Sequence, residues 1–322
     1  MKAVRIHAFG DVDVLNYEEI EQPQPGPGEA LIRITAAGVN FIDIYHRTGQ
    51  YKGALPLTLG QEAAGVVEAV GAGVNEVAVG MRVAYAMQQG SYAEYTVVPA
   101  WKLVAIPDGV SDQLAAAVML QGMTAHYLSH SPYPLKPGDV AVVHAAAGGV
   151  GQILVQLAKR RGAFVIGTVS TAAKAALVRS LGADVTVDYT REDFAEVVRR
   201  ETRGRGADVV YDSVGKATFE QSLSSLRPRG YMVLYGQSSG AVPPLDPQVL
   251  NARGSLFLTR PTLGNYSADR AELIGRAGDL FEWMAVGELQ VRIDSTYALA
   301  DAGKAHTALA SRSTQGKLLL LP

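Results

Sequence analysis

The sequence predicts an α/β protein, a doubly wound parallel sheet joined to a second, β-rich domain assembled from both ends of the chain. Three observations predict it. From residue 140 onward, short apolar β-branched runs alternate with helical stretches, the pattern of parallel strands joined by crossover helices. The first hundred residues instead carry short alternating segments punctuated by glycine and proline, as in a compact β-rich barrel. The chain then ends on GKLLLL at 316–321, a strand expected to return to the first domain and complete its sheet.

Element by element, strands are expected at 2–7 and 30–36, separated by the proline and glycine cluster at 22–28. GQEAAGVVEAVGAG at 60–73 and the run at 81–86 continue the β character, with glycines where bulges or tight turns belong. SYAEYTVV at 91–98 is a further alternating strand. No helical period of useful length is visible in this part. The first helix is expected from Asp112, over DQLAAAVMLQGMTAHYLS, and it carries the chain into the second domain. Strands follow at 140–143, 164–169, 184–187, 209–212, 231–235 and 255–259, with helices such as 190–202 and 218–225 between them. A last helix is expected over 268–287. The domains are therefore drawn as 1–121 with 264–322, and 122–263.

Composition narrows the function classes. At 322 residues, two domains each have length enough for a core. A hydrophobic content of 48% with 19% charged residues is that of a soluble globular protein. A formal net charge of −2 gives no general attraction to nucleic acid or to an anionic membrane. The absence of cysteine excludes disulfides, thiol catalysis and thiolate zinc ligands together. The N-terminal MKAVRIHAFG lacks the apolar core of a signal peptide, and no apolar stretch is long enough to span a bilayer. A cytoplasmic protein is expected.

The most informative segment is VAVVHAAAGGVGQILVQLAK at 140–159. It reads as strand, glycine-rich turn and helix, with Val150, Ile153, Leu154 and Leu157 at helical spacing as the inner face. Ala146-x-Gly148-x-x-Gly151 occupies the turn. Such a turn lets backbone approach a dinucleotide pyrophosphate, and the helix N-terminus offers free N–H groups. The next strand, FVIGTV, ends in Ser170-Thr171-Ala172-Ala173-Lys174. A site preferring NADH places an acid here for the ribose hydroxyls. Hydroxyls and an ammonium suit a 2′-phosphate instead, so NADPH is the expected cofactor.

These residues resemble the medium-chain dehydrogenase/reductase superfamily, and its zinc-independent, zeta-crystallin-like quinone oxidoreductase branch in particular. The resemblance runs nearly end to end through GVNFIDIYHRTGQY (38–51), LGQEAAGVV (59–67), HAAAGGVGQ (144–152), YDSVG (211–215), YGQSSG (235–240), TRPTL (259–263) and SRSTQGKLLLLP (311–322). It implies a Rossmann domain and a discontinuous GroES-like catalytic domain, with the active site in the cleft. A homodimer built by edge-to-edge pairing of Rossmann sheets is also implied. For the cofactor it implies Asn40, Thr124, Gly148, Gly149, Val150, Ser170, Lys174, Tyr189, Ser213, Gly236, Ser238, Leu258, Arg260 and Arg312. Leu258 and Arg260 are expected in a loop covering the nicotinamide.

Zinc-using relatives place a cysteine and a His-Glu pair where this chain has Asn40, Gln61 and Glu62. Three protein ligands cannot be assembled from these, so no metal is expected, and Glu62 is read as a structural hydrogen-bond acceptor. For catalysis without a metal, Asn40, Tyr45 and Tyr51 are the candidates, as donors to the oxygens of a quinone gaining charge. His46 is set aside as structural. The expected reaction is reduction of a soluble quinone by NADPH. Reduction of an α,β-unsaturated ketone or aldehyde on the same scaffold remains the alternative, with Tyr45 or Tyr51 as the acid. Some members of the branch are lens crystallins or bind RNA, but no basic stripe with interleaved aromatics supports that role here.

Overall fold

The computed structural model describes all residues, Met1–Pro322. The chain forms two compact units, Met1–Met123 with Ser267–Pro322, and Thr124–Tyr266. No helix is long and apolar enough to cross a membrane.

The first unit opens with β1 (Lys2–Ile6), β2 (Asn16–Glu19) and the eleven-residue β3 (Glu29–Val39). Then come α1 (Phe41–Arg47), β4 (Leu57–Thr58), β5 (Glu62–Val70), β6 (Arg82–Ala86), β7 (Tyr95–Pro99) and β8 (Val104–Ala105). The nineteen-residue α2 (Asp112–His130) leads into the second unit.

That unit contains β9 (Val140–Val143), α3 (Gly149–Arg160), β10 (Phe164–Val169), α4 (Ala172–Ser180), β11 (Val185–Asp188) and α5 (Phe194–Glu201). It continues through β12 (Ala207–Asp212), α6 (Phe219–Ser225), β13 (Leu226–Leu234), α7 (Gln248–Ala252) and β14 (Phe257–Thr259). Finally α8 (Arg270–Ala285), β15 (Ile293–Ala298), α9 (Ala302–Ala310) and β16 (Lys317–Leu321) return to the first unit.

In the first unit a seven-stranded sheet runs β15-β16-β3-β5-β6-β8, with β7 also on β3. The terminal strand thus sits between β15 and β3, and Leu319 faces Gly38 across an antiparallel ladder. Its core gathers Ile32, Tyr85, Tyr92, Leu103 and Leu320. The short helix α1 corrects the expectation that this region holds no helix. Seven residues show too little periodicity to announce one, and bonds from distant residues fix it.

The second unit is an all-parallel sheet in the order β11-β10-β9-β12-β13-β14. Strands β9 and β12 are buried along their whole length, as parallel strands covered on both faces must be. Val143 lies opposite Gly167 of β10 and Tyr211 of β12. The C-terminal ends of these three strands are therefore level, and every loop leaving them starts from one edge. Leu258 lies within β14, opposite Met232, which corrects its assignment to a covering loop. Ladder pairing extends through Thr259 before the chain turns away.

Candidate active site

In the second unit the glycine-rich turn leaves β9 through Ala145, held at φ 49° in the left-handed region. Gly148 caps α3 with no side chain of its own, and the first helical bond runs from Gln152 N–H to the Gly148 carbonyl at 2.9 Å. The N–H groups of Gly149 and Val150 lie ahead of that ladder, where anions are held. Gly151 is required by contact: a Cβ there would come within 2.4 Å of the Ala145 carbonyl oxygen. Ile153, Leu154 and Leu157 form the buried face of α3, whereas Val150 stays only half-buried beside Gly148 and Gly149.

The neighbouring tips complete the edge. Ser170 is half-buried after β10, and Thr171 Oγ1 accepts from Lys174 N–H at 3.2 Å, starting α4. Tyr189 follows β11, its N–H bonded to the Val169 carbonyl at 3.1 Å and its ring exposed. Ser170, Lys174 and Tyr189 therefore gather at one tip. Beyond β12, Ser238 N–H donates to the Ser213 carbonyl at 3.1 Å, and a Cβ on Gly236 would lie 2.5 Å from that same oxygen. Arg260 is exposed after β14, and Thr124 is buried on α2. An open helix N-terminus, a β10 tip that carries an ammonium and no acid, and two close-packed serine loops suit a phosphorylated dinucleotide, and Asp188, opposite Val169 on β11, is engaged by the Thr190 hydroxyl at 2.7 Å.

The first unit holds Asn40, Tyr45, Tyr51 and Arg312. Tyr45 and Tyr51 are half-buried, their ring centroids 5.4 Å apart at 71°, a favourable edge-to-face pairing. Tyr51 N–H donates to the Tyr45 carbonyl at 3.0 Å, which folds the following loop back onto α1. His46 packs edge-on to Tyr51 at 5.7 Å and accepts from Gln61 Nε2 at 3.2 Å. Burial lowers its pKa. Arg312 is exposed at the end of α9, at φ 57°.

Asn40 lies in a buried polar cluster that sequence reasoning missed in part. Its Nδ2 donates to Glu62 Oε1 at 2.7 Å, and its Oδ1 accepts from Lys317 Nζ at 2.8 Å. Lys317 also bonds Glu62 directly, with both side chains buried. Glu62 Oε2 accepts from Leu120 N–H at 2.6 Å. Gly38 makes room, since a Cβ there would stand 2.2 Å from Glu62 Oε1 and 2.6 Å from Lys317 Cε. Asn40 N–H turns the other way, to Asp43 Oδ2 at 2.8 Å.

Comparison with known proteins decides the family. Residues 26–108 match the alcohol dehydrogenase GroES-like domain and residues 149–274 the zinc-binding dehydrogenase domain. The chain is 46% identical to a quinone oxidoreductase of Pseudomonas aeruginosa, over 100% of this chain and 99% of that one. It is 45% identical to a 2-haloacrylate reductase of a Burkholderia species, over 99% and 98%. The crystal structure of Escherichia coli quinone oxidoreductase complexed with NADPH matches with a TM-score of 0.98, at 42% identity and full coverage of both chains. This chain is a member of the quinone oxidoreductase family of medium-chain dehydrogenases/reductases.

Zinc appears in the description of one matched domain, and the residues of this quinone oxidoreductase family member do not fit that ion. Asn40 and Gln61 offer amides, and the chain has no cysteine. Glu62 is already engaged by an ammonium, an amide and a backbone N–H. A cation is thus built into the protein at Lys317, where zinc sites require imidazole or thiolate donors.

Proposed function

We propose that this chain is an NADPH-dependent quinone reductase that works without a metal. The observation that carries the reading is the open edge of the parallel sheet. There the uncapped N-terminus of α3 lies in the same sheet edge as a strand tip bearing Ser170, Lys174 and no carboxylate. Gly148, Gly149 and Val150 would hold the pyrophosphate, and Ser170, Lys174 and Tyr189 the 2′-phosphate end. Ser213, Gly236 and Ser238 would line the nicotinamide side. Thr124, Leu258, Arg260 and Arg312 are assigned supporting contacts. When bound, NADPH supplies the hydride.

The chain's own residues do the rest. Tyr45 and Tyr51 donate hydrogen bonds to the quinone oxygens as negative charge develops there, which favours the transition state over the ground state. Asn40 directs its amide to Glu62, the Gly38 carbonyl and Lys317, so in place of the expected donation to the quinone it anchors the start of α1, the helix that carries Tyr45. The alternative, reduction of an activated alkene, draws on the similarity to 2-haloacrylate reductase. Following NADPH oxidation with a benzoquinone and with an enone separates the two. Faster turnover of the quinone is expected, and faster turnover of the enone would reverse the assignment.

A homodimer in a cytoplasmic setting is part of this proposal. Strand β14 is one of the two edge strands of the sheet, with Phe257 and Leu258 exposed and Phe257 stacked on Tyr231 at 4.4 Å. Such an edge invites pairing with a second copy. Sedimentation of the purified protein tests the dimer, with a dimer mass as the expected result.

A further inference from the structure

We infer that His144 is a positioning residue that joins the three cofactor-facing tips of the parallel sheet, and that its bond to Thr168 sets the preference for a 2′-phosphate. The inference rests on reading these tips as the NADPH site. His144 follows β9 directly and is 1% exposed. Because Val143 is level with Gly167 and Tyr211, the next residues in all three strands are level too: His144, Thr168 and Asp212. The imidazole bridges them. Its Nδ1 lies 2.9 Å from Thr168 Oγ1 and its Nε2 lies 2.9 Å from Ser222 Oγ. Ser222 in turn donates to Asp212 Oδ2 at 3.0 Å.

The direction of the line is determined. Asp212 is a carboxylate receiving Val214 and Gly215 N–H on Oδ1, at 2.7 and 2.9 Å, and Thr218 Oγ1 on Oδ2 at 2.7 Å. The Ser222 proton is committed to it, so Ser222 Oγ accepts from Nε2–H. Nδ1 is then the bare nitrogen and accepts from Thr168. Every group in the line is buried, so breaking either link strands a polar atom without water. Each link also leads to a different tip. Thr168 precedes Val169 and Ser170, and Thr171 caps the helix that carries Lys174. Asp212 precedes Ser213, against which Gly236 and Ser238 pack. His144 itself opens the glycine-rich turn, and Phe194 holds its ring edge-on at 4.6 Å.

Two amide substitutions separate the links. In His144→Asn the amide reaches the Nδ1 position and keeps Thr168; in His144→Gln it reaches the Nε2 position and keeps Ser222. Dissociation constants are measured by fluorescence or calorimetric titration for NADPH, NADH and adenosine 2′,5′-bisphosphate. His144→Gln should weaken the bisphosphate and narrow the NADPH-to-NADH ratio by about two- to tenfold, the size of one lost hydrogen bond. His144→Asn should weaken NADPH and NADH together and leave their ratio intact. Thr168→Val breaks the same link from its other end and should repeat the His144→Gln result, even where the histidine variants fold poorly. An unchanged ratio in both His144→Gln and Thr168→Val would overturn the inference. So would equal loss in the Asn and Gln variants that tracks a fall in melting temperature. Wild-type protein that binds neither dinucleotide would remove the underlying site reading itself.

Discussion

Each unit contains a buried aspartate bonded through a hydroxyl to a histidine, and the two lines are satisfied to different degrees. In the parallel-sheet unit, Asp212 receives Ser222, Thr218 and two backbone N–H groups. In the β-rich unit, Asp43 Oδ2 receives Asn40 N–H at 2.8 Å and Tyr92 OH at 3.0 Å, while Oδ1 is buried with no partner. Tyr92 OH lies 3.1 Å from His306 Nε2, and Arg47 reaches His306 Nδ1 at 3.3 Å. Burial pushes the Asp43 carboxyl up to about 7, its few donors only partly opposing the shift. Burial and the neighbouring Arg47 pull His306 down to about 3. A saturated carboxylate ties loops together, whereas a half-satisfied one keeps its charge negotiable.

The two networks of the β-rich unit meet at Asn40, whose backbone bonds Asp43 and whose side chain bonds Glu62 and Lys317. Breaking the ion pair gives the largest expected effect. Lys317→Met leaves Glu62 charged and buried, at a cost of about 3–5 kcal/mol. A drop in the urea midpoint measures it, and adding Glu62→Gln should recover part of the loss. A single variant as stable as the native protein would mean the pair contributes little.

Lys174→Ala comes next, and it acts on the other unit. Losing a charge-assisted contact to the 2′-phosphate should weaken NADPH by about 1.5–3 kcal/mol, with NADH nearly untouched. Equal losses for both would remove Lys174 from that site.

The contrast between the carboxylates has a pH signature. Asp43 holds its proton more tightly folded than unfolded, so its contribution is full below about 3.8 and is lost as pH rises through about 7. His306 binds its proton more weakly folded, so its contribution is full above about 6.5 and is lost as pH falls toward about 3. In the native protein the two slopes oppose each other. Asp43→Asn should therefore lose stability on acidification across this window, relative to the native protein. His306→Gln should lose stability as pH rises across it. Denaturation midpoints between pH 4 and 7.5 check the pair, and parallel slopes in the two variants would refute it. The smallest expected effect is that of a chelator, which should leave turnover unchanged because the donor set around Glu62 does not fit zinc.

The parallel sheet was legible because its strands announce themselves. VAVV and FVIGTV are apolar throughout, and observed β9 and β10 begin and end where the sequence reading put them. Helix α1 was not legible: seven residues hold barely two turns, and its start is marked chiefly by Asn40 and Asp43 at capping distance. At the site, the glycine-rich turn is local chemistry and could be read directly. The polar networks could not, because their partners lie far apart in sequence. Lys317 is 277 residues from Asn40 and 255 from Glu62, and it opens a strand that otherwise reads as plain core. His144 meets Ser222 across 78 residues. A lysine at the head of KLLLL was the available hint, since a buried ammonium requires a partner.

The most direct test of the account is a fluorescence titration of the purified protein with NADPH and with NADH, in the absence of any acceptor. Saturable binding with a strong preference for NADPH is expected. Equal affinity, or a preference for NADH, would contradict the assignment of Ser170, Lys174 and Tyr189 to a 2′-phosphate.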